Sequence, residues 1–368
     1  MEADALYAEI ISLEEKREKI ATLSLLIPLE IIRAAGMIPY RIYGKCRAVS
    51  PDVMSIFSSN LCSYINSSFT EGIFEYKKKF SGVVIADTCD ARKKLYEAWK
   101  YYYPDTNMYC LMSPKVCSHM NKEYFKHEIL SFIEYLRKTY SRTITHDNLR
   151  ESIEQYNHMR SLLGELTTLR QFHQNALAAS KLHAIMKMSY NIDPEVFTKK
   201  LAEYISALKN TKKHDIGGKK RVLLCGSFFD HEAILDLIES FSGIIICQYN
   251  SLGFHYYSDT IDTTGDPIND ITEYYFTKAT KLSYFDTDTT IQEIDGLITK
   301  HNVDCVVYIT LKFCDCNAIT FCDIKEYLEK QSIPKLYLEM EHGNYNIENI
   351  HTRIETFMES IQGGKIGS

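Results

Sequence analysis

The sequence predicts an α/β fold: two lobes, each a parallel sheet flanked by helices, plus a helical connecting segment. Three observations carry that expectation. Short β-branched runs bounded by Gly and polar residues recur, as in Gly82-Val83-Val84-Ile85-Ala86 and Cys305-Val306-Val307-Tyr308-Ile309, and such runs read as buried strands. In both halves they alternate with segments of helical character, which implies parallel pairing. Between the halves, from Asn121 to Leu208, apolar residues recur at threes and fours, as in Phe125, Ile129, Phe132, Ile133 and Leu136. That is the spacing of one helix face.

Taken in order, residues 2–22 read as a charged amphipathic helix, so that 1–22 forms an N-terminal helical arm. Pro28 near a first turn and Gly36 at an end frame a short helix over Ile27 to Met37. Pro39 to Tyr43 reads as a strand, and Ser50 to Tyr64, with Pro51 near its start, as a helix carrying Cys62. The strand Gly82 to Ala86 leads through Asp87-Thr88-Cys89-Asp90 into a helix beginning at Ala91. Met108 to Met112 is a further strand of a first α/β lobe over 23–120. The helical segment and linker take 121–216, next to Gly217-Gly218. A second lobe over 217–368 restarts the alternation. Its strands are Arg221 to Cys225, Ile244 to Tyr249, the Cys305 run and Lys335 to Glu339. Its helices are Asp230 to Ser240, Asp266 to Ala279, Asp323 to Lys330 and Ile350 to Ile361.

Composition narrows the function classes. At 368 residues, 45% hydrophobic and 24% charged, the chain has ample material for two or three packed domains. A net charge of -6 without a long Lys/Arg block excludes a nucleic-acid footprint. The most apolar stretch, Ala21 to Tyr40, contains Glu30, Arg33 and two prolines, so no membrane span is expected. Residues 1–20 are rich in Glu and Lys and do not read as a secretory signal. With 11 cysteines, an odd number, the expectation is a reducing cytoplasm and free thiols or metal ligands instead of disulfides.

The cysteines are the candidates for chemistry. Cys89 lies where a strand hands over to a helix, the edge at which open α/β sheets bind ligands. A helix N-terminus also stabilises a thiolate. The downstream run ends alike, in Lys312-Phe313-Cys314-Asp315. Cys62, Cys89 and Cys314 each adjoin a polar residue at an element end, which leaves metal binding and ordinary packing both open. Cys225, Cys247 and Cys305 lie inside apolar strands and read as small core hydrophobes. Gly226-Ser227 is an ordinary βα turn, because no GxGxxG, GKS or GKT accompanies it. No HxxxH, HExxH or GxSxG occurs, so a zinc hydrolase or serine esterase has no support.

Several segments resemble one family in order and spacing. Glu30-Ile31-Ile32-Arg33-Ala34-Ala35-Gly36-Met37-Ile38-Pro39 resembles the early E-x-x-x-A-x-G-x-x-P stretch of the 2-hydroxyacyl-CoA dehydratase and benzoyl-CoA reductase family. Leu61-Cys62-Ser63, Ala86-Asp87-Thr88-Cys89-Asp90 and Lys312-Phe313-Cys314-Asp315 resemble its three cysteine sites. Ile333 to Glu339 and Thr352 to Phe357 resemble its closing strand and helix.

The resemblance implies two Rossmann-like lobes and a [4Fe-4S] cluster held by Cys62, Cys89 and Cys314, with one iron left without a cysteine. It implies a smaller, beta-type subunit paired with a homologous second subunit, and an ATP-dependent iron–sulfur activator protein that injects one electron. The implied reaction is loss of water from an (R)-2-hydroxyacyl-CoA through a ketyl radical, in anaerobic metabolism such as amino-acid fermentation. Two other implied readings stay open: a benzoyl-CoA reductase-type subunit, and a double-cubane electron-transfer protein. Cys316 and Cys322, crowding the third cysteine, keep the latter alive. Glu30 has two readings. A carboxylate in a first helical turn is ordinary. The resemblance makes it a proton shuttle lining the cluster pocket.

Overall fold

In the computed structural model of the chain, the Val- and Ile-rich runs build two four-stranded sheets. The structure describes residues 2–44, 51–57, 60–214, 216–228, 230–283, 286–343 and 346–362, and of 74–78 the backbone alone. The first sheet contains β1 (Lys19–Thr22), β2 (Ile38–Arg41), β3 (Gly82–Ala86) and β4 (Met108–Leu111), in the order β2-β1-β3-β4. The second contains β5 (Lys220–Gly226), β6 (Gly243–Tyr249), β7 (Cys305–Leu311) and β8 (Lys335–Met340), in the order β6-β5-β7-β8. Every neighbouring pair is parallel. β3, β6 and β7 are buried along their whole length. That is why they read as continuous apolar runs and not as alternating ones.

The region between the sheets is helical, as the periodicity predicts: His119–Tyr140, His146–Arg170, Ala179–Ser189 and Pro194–Lys209. Side-chain caps start three of the four. Ser118 accepts from the Asn121 N–H, Thr145 from that of Asn148, and Asp193 from that of Glu195, next to Pro194. The face named by the periodicity, Phe125, Ile129, Phe132, Ile133 and Leu136, is buried against Val84, Ala86 and Leu111 of the first sheet. Each such side chain contributes about 1.5–3 kcal/mol by burial.

Three elements differ from expectation. The N-terminal helix stops at Ile11, and Lys19–Thr22 form the inner strand β1, not the end of a helical arm. A four-residue buried strand has too little length to show a period of its own. The helix expected over 50–64 is instead Pro51–Ile56, with Ser50, Ser58 and Ser59 outside the described residues, and a new helix, Ser63–Lys79, begins directly after Cys62. The helix expected from Asp323 starts at Asp315, directly after Cys314. Among the described residues, no helix is long and apolar enough to cross a membrane.

Candidate functional site

Both sheets have the same order, so each has one point where successive connections leave in opposite directions. In the first lobe that point lies between β1 and β3, and in the second between β5 and β7. Ligands of open α/β sheets bind beyond the C-terminal strand ends at such points. Here the two points face one cavity of about 240 Å³. Leu25 follows β1, Cys89 follows β3, Ser227 follows β5 and Cys314 follows β7, and all four line it. His342, after β8, bonds the second lobe to the first. Its backbone N–H donates to Ser63 Oγ at 2.8 Å, and its ring bonds the Gly44 carbonyl.

Cys62, Cys89 and Cys314, far apart in sequence, are brought to this cavity. Each directly precedes a helix: Ser63–Lys79, Asp90–Tyr102 and Asp315–Lys330. Cys89 and Cys314 are N-cap residues whose side chains make no capping bond. The Cys62 carbonyl accepts from the Ile65 N–H at 2.9 Å, which gives it the same position. Three helix N-termini thus open beside the thiols, each the end of a helix dipole that attracts anions. The Cys62 thiol donates to Cys314, which holds Cys314 well below the usual thiol range and pushes Cys62 above it. The Asn317 amide also donates to Cys314 Sγ, at 3.2 Å.

A fourth thiol, Cys316, lines the same cavity, while Cys322 is exposed and does not. Arg41, Arg92 and Lys115 also line it, and among the described residues no Asp or Glu does. Thiols among helix N-termini and cations, without a carboxylate, match the donor set of an iron–sulfur cluster. Among the described residues no three His, Cys, Asp or Glu side chains group tightly enough to hold a single metal ion. The fit to a cluster therefore rests on the donor set and its placement.

Glu30 is placed elsewhere. It is fully buried in the helix Leu29–Ala34 and is absent from the cavity wall. Its carboxylate accepts from Arg160 Nη2 at 2.5 Å and from the Tyr275 hydroxyl at 2.8 Å. Its backbone carbonyl accepts from Ser152 Oγ at 2.8 Å. Glu30 thus ties the first lobe to the long helix His146–Arg170 and to Pro267–Lys281. Cys225, Cys247 and Cys305 are buried in strands, as expected, and burial pushes the Cys247 and Cys305 thiols up to about 12. Sequence reasoning did not single out Arg41, Asn317 or Lys115. Asn317 could have been found three residues after Cys314, in the same first helical turn. Nothing local marks Arg41 or Lys115.

The family described as 2-hydroxyglutaryl-CoA dehydratase, D-component, matches residues 25–361. The chain is 22% identical over 346 residues to the (R)-phenyllactyl-CoA dehydratase beta subunit of Clostridium sporogenes, covering 94% of this chain and 92% of the relative. It is 21% identical over 360 residues to the beta subunit of the (R)-2-hydroxyglutaryl-CoA dehydratase of Acidaminococcus fermentans, covering 94% and 93%. It is 23% identical over 361 residues to a subunit of the benzoyl-CoA reductase of Thauera aromatica, covering 95% and 92%.

Proposed function

Because the chain belongs to the 2-hydroxyglutaryl-CoA dehydratase D-component family, we propose that it is the iron–sulfur subunit of a 2-hydroxyacyl-CoA dehydratase-like enzyme. The observation that carries this is the meeting of Cys62, Cys89 and Cys314, from both lobes, in one cavity whose described wall has no carboxylate. These three would hold a [4Fe-4S] cluster. When bound, that group supplies one-electron chemistry, which lets a thioester lose a hydroxyl group beside an unactivated proton. The residues of this chain prepare the place. The helix ends before Ser63, Asp90 and Asp315 stabilise the thiolates. The Asn317 amide orients Cys314. Arg92 and Lys115 supply positive charge in the wall. The names of the relatives, as subunits, support a partner: a homologous second dehydratase subunit. An ATP-dependent activator would deliver the electron, and an acyl-CoA is the substrate class of the assembled enzyme.

Anaerobic reconstitution of the full chain tests the reading. The expected result is about four irons and four sulfides per chain, with the absorption of a [4Fe-4S] cluster. Cys89→Ala should lose most of both, while Cys225→Ala, a core change, should keep them. Equal loss from the two variants, or no iron in the wild type, would overturn the assignment. About eight irons would point to a double-cubane protein instead. Assay with the partner and activator then separates dehydration of a 2-hydroxyacyl-CoA from ring reduction of benzoyl-CoA.

A further inference from the structure

Among the described residues three arginines are fully buried, and two of them are paired. Arg160 bonds the Glu30 carboxylate, and Arg170 bonds the Glu239 carboxylate and the Ile245 carbonyl. The third, Arg41, differs. It ends β2, its backbone N–H donates to Asn191 Oδ1 at 2.8 Å, and its side chain is fully shielded from solvent. The guanidinium lies 5.0 Å from the Tyr190 ring centroid and 5.6 Å from that of Phe228. Nη2 reaches Ser251 Oγ at 3.4 Å. Nε and Nη1 complete no hydrogen bond of good geometry among the described residues; the phenols of Tyr43, Tyr64 and Tyr190 face the group, and no described carboxylate pairs with it.

A guanidinium does not shed its proton in a protein. Buried without a counter-charge it is costly, so its place beside a cavity that could hold an anion is the observation to explain. Arg41 stands in the wall of the cysteine-lined cavity, where no described Asp or Glu balances it. We infer that Arg41 is the fixed charge that balances an anion in that cavity, a thiolate-ligated iron–sulfur cluster, and that it eases the uptake of an electron there. The inference rests on the reading of Cys62, Cys89 and Cys314 as ligands. A cubane bound by three thiolates carries net negative charge and gains one more on reduction, so a nearby cation favours the reduced form. Screening is weak in a closed, low-dielectric wall. Local charge is among the factors that set the potential of such clusters. Because the side chain is shut away from contact, Arg41 is a positioning residue that acts through its field.

The test uses the full chain as wild type, Arg41→Met and Arg41→Lys, metal-free and after anaerobic reconstitution with iron and sulfide. In the metal-free chain, Arg41→Met should melt at or above the wild-type temperature, because it removes an unbalanced buried charge. A clearly lower melting temperature would make Arg41 ordinary packing and overturn the inference. After reconstitution all three should carry equal iron. The midpoint potential, followed by electron paramagnetic resonance during dithionite titration, should fall in Arg41→Met and largely recover in Arg41→Lys. An unchanged potential in Arg41→Met with full iron would overturn it. Iron-free wild type would sink the proposed function and the cluster as the anion, while the metal-free comparison still decides whether Arg41 is an unbalanced charge. Stabilisation of the metal-free wild type by millimolar acetate, absent in Arg41→Met, would give the anion to a carboxylate ligand and overturn the cluster assignment.

Discussion

Glu30 is enclosed with Arg160 and Tyr275, and that enclosure governs what its carboxylate can do. A general acid or base has to reach the proton it moves. Glu30 is fully buried, and its oxygens are already occupied by a guanidinium and a hydroxyl. Removing one partner of a buried pair strands the other charge. We therefore expect Glu30→Ala to cost about 3–5 kcal/mol of unfolding free energy, read from denaturant titration. Iron per folded chain should stay unchanged. Wild-type stability with turnover abolished would return Glu30 to a proton-transfer role.

At the scale of elements, the turn after β5 positions the third cysteine site. Gly226 has φ +120, and a Cβ there would lie 2.0 Å from the Ile309 carbonyl oxygen of β7. The close approach lets the Ser227 N–H donate to Ile309 O at 2.8 Å, and the Leu311 N–H donate to Ser227 Oγ at 3.2 Å. Those bonds hold the end of β7, from which Cys314 follows. Gly226→Ala must both strain the backbone and push β5 from β7. The expected loss is about 1–3 kcal/mol from overpacking alone, measured by thermal unfolding. Iron content should fall with it, because the loop carrying Cys314 moves. A variant with wild-type stability and iron would show that the turn does not position the site.

At the scale of the whole molecule, a cluster held as proposed by Cys62, Cys89 and Cys314 would draw its ligands from both lobes and so couple its binding to how the lobes are held. Cys62 and Cys89 belong to the first sheet's connections, Cys314 to the second's. A group that binds only the folded chain stabilises it by mass action, by about 3 kcal/mol when its concentration is a hundred times its dissociation constant. Chelation under anaerobic conditions should therefore lower the melting temperature and raise proteolysis at the lobe junction. An unchanged melting temperature after complete iron removal would mean that the thiols do not tie the lobes together.

The class of fold, the long strands and the helical middle are legible in the residues alone. In these, pattern and environment agree: β3 and β7 are apolar because both faces are buried, and the Phe125 to Leu136 stripe is apolar because it faces a sheet. Cys89 and Cys314 are legible there too, because a strand end next to Cys-Asp is a local signal, whereas Cys62 joins them through the family resemblance. The remainder follows from contacts between residues distant in the chain. The four residues of β1 hold their place through parallel pairing with β2 and β3, which leaves no period to read. The burial of Glu30 depends on Arg160, 130 positions away. Arg41 has no carboxylate partner among the described residues, and no stretch of sequence records the absence of a distant partner. Which charges are balanced depends on three-dimensional neighbours, and the folded chain alone brings those neighbours together.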